Sequence, residues 1–171
     1  MTMAPIVRKL ALTIHLLLSV GWIGAVIAYM VLGVLAVTSD DAETIRAAWI
    51  AMERIGWSAI VPLAIGSLVT GIAMSLGTAW GLFRHYWVMI SFALTIFCVA
   101  ILLLHMPTVS AIAQMTRVST PSRDGHGGDL LHSSLGLVSL LVITLLNVYK
   151  PQGLTPYGWR QQRRKRNAAN S

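Results

Sequence analysis

Five histidines and one cysteine stand out in a chain that is otherwise rich in hydrocarbon. His15 lies inside the apolar stretch LTIHLLLSVGWIGAV (12–26), where an imidazole is costly without a partner. His105 and His132 flank the segment 106–131, His85 follows Arg84, and His126 sits in the GHGG stretch. Imidazoles at this density point to metal or haem chemistry. A b-type haem needs no covalent attachment, only a slot between helices and one or two axial ligands, commonly histidine. The single cysteine, Cys98, excludes both a C-x-x-C-H attachment site and an internal disulfide.

The elements that must position these rings are legible as apolar runs. Residues 10–37, 57–76, 87–106 and 130–149 are each about 20 residues or longer and almost free of charge, enough to cross about 30 Å of hydrocarbon as helices. The chain is 56% hydrophobic and 11% charged, too apolar for an ordinary soluble domain of 171 residues. These features predict an all-α, four-helix transmembrane bundle over 1–159. A basic tail, 160–171, is expected to be disordered.

Charge gives an orientation. Arg8, Lys9, Arg84, Lys150, Arg160, Arg163, Arg164, Lys165 and Arg166 belong to the N-terminal flank, the 77–86 connector and the tail, with no acid among those segments. All six acids share the other two connectors with the remaining four arginines. The positive-inside rule then puts both termini of a multi-pass membrane protein in the cytoplasm. RQQRRKR suits anionic lipid rather than nucleic acid. The first outer connector, 38–56, reads as a short amphipathic helix: Asp40 and Glu43 resemble a capping box, and Ile45, Trp49, Met52 and Gly56 recur at helical spacing. It is expected to run into the second span with a kink near Pro62. The second outer connector, 107–129, is read as a mobile loop.

At 100° per residue, His15, Ser19, Trp22, Val26 and Tyr29 share one stripe of the first span, and Gly21, Gly24, Ala25 and Ala28 another. The third span gathers Trp87, Ser91, Leu94, Cys98 and His105 on one face. The fourth gathers His132, Gly136, Ser139, Ile143 and Asn147. Polar stripes in lipid are best buried against one another, which predicts an interior shared by spans one, three and four. In the second span, Ser67, Gly71 and Ser75 form a small-residue packing row.

On this reading His105 and His132 clamp the iron of an outer haem b. His15, with His85 or Met74 and with Trp22 on the same stripe, serves an inner one. Two haems at two depths would carry electrons across the membrane, alone or beside a redox partner or in a homodimer. One alternative is a metal or small-solute transporter or sensor without haem, including Cu²⁺ or Zn²⁺ held at the outer face by His105, His126, Asp129 and His132. The other is a structural accessory subunit whose histidines only hydrogen-bond at the membrane interface.

H-x6-W-x-G in the first span, here His15, Trp22 and Gly24, resembles the first helix of copper-resistance D-type proteins and of HemJ-type protoporphyrinogen oxidases. The latter resemblance implies a haem-ligand role at His15. GTAWGLFRHYWV (77–88), LLLHMPTVS (102–110) and YKPQGLTPYGWR (149–160) are similar to an uncharacterised actinobacterial family of small four-helix integral membrane proteins. That resemblance implies the four-helix architecture, with His15, His85 and His105 as family features.

Overall fold

The computed structural model describes residues 3–77, 82–119 and 127–169. Among them the chain is all-helical: α1 (Pro5–Thr38), α2 (Ala42–Ile55), α3 (Val61–Gly77), α4 (Tyr86–Val118), α5 (Gly127–Tyr149) and α6 (Pro156–Ala169). Four helical stretches are long and apolar enough to cross a membrane: α1, α2 continued through α3, α4, and α5 from Gly128. With one apolar stretch after another and no water to pair with in hydrocarbon, helices are the way each backbone satisfies its own hydrogen bonds.

The packing is a ring with a gap. α1 packs on α2, α3 and α5, and α4 packs on the same three, so α1 and α4 face each other through shared neighbours. Small residues make the α1–α3 seam close: Gly21 meets the Leu63 side chain, and Gly66 meets Leu18. Gly24, on the same stripe as Gly21, has nothing within 4 Å of where a Cβ would stand.

α2 begins one residue later than its sequence signal. Asp41, not Asp40, is the N-cap, and its carboxylate accepts from the Thr44 N–H at 2.9 Å and the Thr44 hydroxyl at 2.6 Å. Thr44 rather than Glu43 supplies the answering side chain, because the hydroxyl and amide of one residue both reach the same oxygen. These bonds from Thr44 hold the Asp41 carboxyl below the ordinary aspartate value. A depressed folded value means that the stabilisation is present at neutral pH and is lost as acid protonates Asp41. Asp41→Ala is expected to fray the first turn of α2, read as faster hydrogen exchange at the Thr44 amide, and the wild type should show the same fraying at acid pH.

A kink is expected near Pro62; what the structure shows between α2 and α3 is a π-helical turn, Gly56–Ile60, that ends just ahead of it. Such a turn inserts one residue into the α-helical ladder and recurs at functional sites. Gly56 lies against the Met106 thioether, with which a Cβ would collide.

Two expected ends move. The third span does not stop at residue 106. α4 runs on through Pro107 to Val118, and residues 107–118 are helical rather than a loop. The reason is burial: Met106, Val109, Ala113 and Thr116 continue the inward stripe beneath α2, whose Ile45, Ala48, Trp49 and Met52 are buried. Arg46 donates to the Thr116 carbonyl at 2.6 Å, and Arg117 pairs with Glu53 at 2.6 Å, tying α2 to this extension. The tail, expected to be disordered, is helical from Pro156 to Ala169. Pro156 stands at the first helical position, and the Thr155 hydroxyl accepts from the Gly158 N–H at 3.1 Å, an N-cap bond.

The ends of several elements are tied together at the α6 side. Thr155 Oγ1 donates to the Phe83 carbonyl at 2.6 Å, the Thr155 N–H to the Arg84 carbonyl, and the Tyr86 N–H to the Gly153 carbonyl. Gly158 is buried against this connector, and a Cβ there would run into the Arg84 carbonyl oxygen. The Met3 N–H donates to the Gly77 carbonyl at 3.0 Å. The N-terminal flank, the α3–α4 connector and α6 thus share one end of the bundle.

Candidate functional site

The gap between α1 and α4, closed on one side by α5, holds a cavity of about 290 Å³. Its walls are mostly hydrocarbon and aromatic, from Trp22 and Val26 on α1 and Phe97 and Met106 on α4. Ile60, from the π-helical turn, also lines it. Phe97 is nevertheless 60% exposed on the outside of the bundle, so one wall of the cavity is also part of the lipid-facing surface.

One end of the cavity is polar, and its centre is Asp129. The Asp129 side chain is only 5% exposed. Its Oδ1 accepts from the Tyr29 hydroxyl at 2.8 Å and from His105 Nε2 at 2.7 Å. Three helices therefore meet on one oxygen: α1 through Tyr29, α4 through His105 and α5 through Asp129 itself. The other oxygen, Oδ2, is buried with no partner among the described residues.

His132 completes the cluster. Its ring stacks on His105 with centroids 4.7 Å apart and planes 12° from parallel. Its Nδ1–H donates to the Gly128 carbonyl at 2.7 Å, which in the neutral ring leaves Nε2 as the acceptor. In the same way the Nε2–H of His105, given to the carboxylate, leaves its Nδ1 as the acceptor.

This arrangement bears directly on the iron clamp expected of His105 and His132. An axial imidazole holds iron along a nitrogen lone pair, which lies in the plane of the ring. Two rings stacked face to face present π-faces to each other, not lone pairs, so as placed they do not sandwich an iron. The four-residue Zn²⁺ or Cu²⁺ set also requires His126, which lies outside the described residues. Among the described residues no three His, Cys, Asp or Glu side chains form a metal-holding group. The free nitrogens, His105 Nδ1 and His132 Nε2, belong to stacked, nearly parallel rings and do not converge on one point.

The inner residues are placed apart from this cluster and from one another. His15 Nδ1 lies 2.9 Å from Thr70 Oγ1 on α3. The Thr70 hydroxyl donates to the Gly66 carbonyl at 2.7 Å, so His15 is the donor to Thr70 and keeps its Nε2 as acceptor. Ser19 and Ser67 pair at 2.8 Å just beyond, and Gly71 leaves room for the His15 ring, which would lie 3.3 Å from a Cβ there. His15 and Ser19 thus face α3, not the interior shared with α4 and α5, while Trp22 does line the cavity. One stripe serves two neighbours because seven residues of helix carry it about 10 Å in depth. His85 caps α4 beside Trp87 and bridges to Leu154 through its backbone. It belongs to the connector that seats α6.

Asp129 and Tyr29 are the residues of this cluster that sequence reasoning underrated. Asp129 entered only as one metal ligand among four, and Tyr29 only as a stripe member. The available signal was an acid three residues ahead of His132, at the mouth of an apolar run. Compared with protein-family models, curated proteins and solved structures, the chain matches none.

Proposed function

We propose that this chain is a multi-pass plasma-membrane protein that binds a small, mostly apolar molecule in the cavity among α1, α4 and α5, as a carrier or sensor. The observation that carries this reading is Asp129: a buried carboxylate among the cavity-lining residues, with one oxygen accepting two hydrogen bonds and the other without a partner among the described residues. Buried polar atoms are normally paired, and an orphan beside a cavity marks where a ligand's polar end belongs. The lipid-facing position of Phe97 supplies a lateral route for a lipophilic molecule.

Gly136 offers the test. It lines the cavity, and a Cβ built on it meets nothing within 4 Å. Gly136→Leu should fill the space without a clash and gain helix propensity of about 1 kcal/mol. Bromobenzene should quench Trp22 fluorescence saturably in the wild type, with Trp22→Phe as reference, and the quenching should vanish in the leucine variant. Equal saturable quenching in both proteins would sink the cavity reading.

A second reading has its own support. The carboxylate that accepts from His105 is the outer partner that metal-bound histidines usually have, and His15 has a hydroxyl in that role. Haem b held by a single histidine, with an electron-transfer role, follows from this. Protein purified after expression with ample haem should then show a Soret band that His105→Ala removes or shifts. An absent band ends this reading.

Both termini are cytoplasmic in this proposal. The nine cations read as inward-facing belong to the flank, connector and tail segments that the structure brings to one end. With Cys98 replaced by alanine, a cysteine at Thr44 should react with an impermeant maleimide on intact cells, and one at Gln162 only after lysis. The opposite pattern would invert the protein.

A further inference from the structure

We infer that the ligand of this cavity carries a cationic, hydrogen-bond-donating head of the protonated-amine type, paired with the Asp129 carboxylate, with its apolar body along Trp22, Val26 and Phe97. This rests on the cavity reading above and names the chemical class of its ligand.

The argument is one of charge and of donors. The residues that line the cavity include one acid, Asp129, and no lysine or arginine. The ion pairs of arginine, Arg46 with Glu43 and Arg117 with Glu53, join α2 to itself and to α4, away from this wall. Tyr29 meets the carboxylate as a neutral donor, and the His105 ring is taken to do the same. Both bonds go to Oδ1. An ionised carboxylate has room for about four hydrogen bonds and accepts two here from the described residues, both on one oxygen. A charge buried in this way is expensive unless something answers it.

Ligand classes then separate. An anion would be repelled by Asp129. A hydroxyl would satisfy Oδ2 as a hydrogen-bond acceptor and leave the charge unanswered. An alkylammonium does both, and the hydrocarbon and aromatic wall of Trp22 and Phe97, about two turns further along α1 and α4, receives its apolar body. The volume lies at the lower end of ligand pockets, which suits a short amine with one ring rather than a long-chain lipid.

The full chain in nanodiscs of zwitterionic lipid, titrated at neutral pH, separates these outcomes. The probes are 2-phenylethylamine, its uncharged analogue 2-phenylethanol and the anion 3-phenylpropionate. The amine is expected to bind at least tenfold more tightly than the alcohol, and the anion not at all. Asp129→Asn keeps an Oδ1 to accept from Tyr29 and His105, and should bring the amine down to the alcohol's affinity while leaving the alcohol unchanged. If amine and alcohol bind the wild type equally, His105 already neutralises the site and the cationic inference is overturned while the cavity reading stands. If none of the three binds, the cavity reading falls and this inference falls with it. The wild-type comparison decides the matter even if the asparagine variant fails to fold.

Discussion

Asp129→Ala is expected to destabilise the protein by about 2–6 kcal/mol, the cost of stranding two hydrogen-bond donors on one lost acceptor. The alanine leaves the Tyr29 hydroxyl and the His105 Nε2–H facing the same empty volume. Each buried donor stranded in this way costs about 1–3 kcal/mol. Tyr29→Phe, which removes one donor and leaves His105 on the carboxylate, should cost only about 1 kcal/mol, since interhelical hydrogen bonds in membranes are individually modest. The two changes share an oxygen, so they should not add: in the Asp129→Ala background the tyrosine hydroxyl has no acceptor left to lose. Reversible unfolding in mixed micelles checks the order Asp129→Ala well below Tyr29→Phe, and additivity of the two would show that the hydroxyl and the carboxylate are not coupled.

The four spans were legible because each is a long run with almost no charge, a signal that needs no tertiary information. Their ends were not. Pro107 reads locally as a break, yet α4 continues past it because α2 buries Val109, Ala113 and Thr116, and that burial exists only once the helices are packed. The N-cap slipped from Asp40 to Asp41 for a smaller reason: two adjacent acids offer the same signal, and Thr44 chose between them.

The site divides in the same way. His105 and His132 were found on inward stripes, and they do come together. What they do there was not legible, because a stripe gives direction and not ring orientation. Parallel stacking turns their lone pairs away from a shared metal, and Asp129 takes the free N–H of His105. The hub itself joins residues 24 and 100 positions apart, a separation that no periodicity can bridge. His15 shows the converse. Its stripe was read correctly, but at its depth the neighbour is α3, where Thr70 and Gly71 accommodate the ring.

Trp49→Ala should have the other large effect, a loss of about 3–5 kcal/mol, as for large-to-small changes at fully buried aromatics. Trp49 is 1% exposed in the layer formed by α2 with the far parts of α1 and α4. Its consequences should extend to the cavity. Met52, one turn further along α2, lies against Gly33 of α1, and the same glycine meets Leu130, the residue after Asp129. Gly33 lets these two side chains approach over one backbone, so a displaced α2 releases the start of α5. The expected result is therefore double: lower stability in micelles, and weaker binding of any cavity probe by a protein that remains folded at low temperature. Ile45→Val, in the same layer but one methylene smaller, should cost only about 0.5–1.5 kcal/mol and leave probe binding intact. If Trp49→Ala lowers stability and binding is untouched, α2 is a cover that stabilises the bundle without positioning Asp129. If both fall together, the helix that precedes the π-helical turn is part of what holds the carboxylate in place.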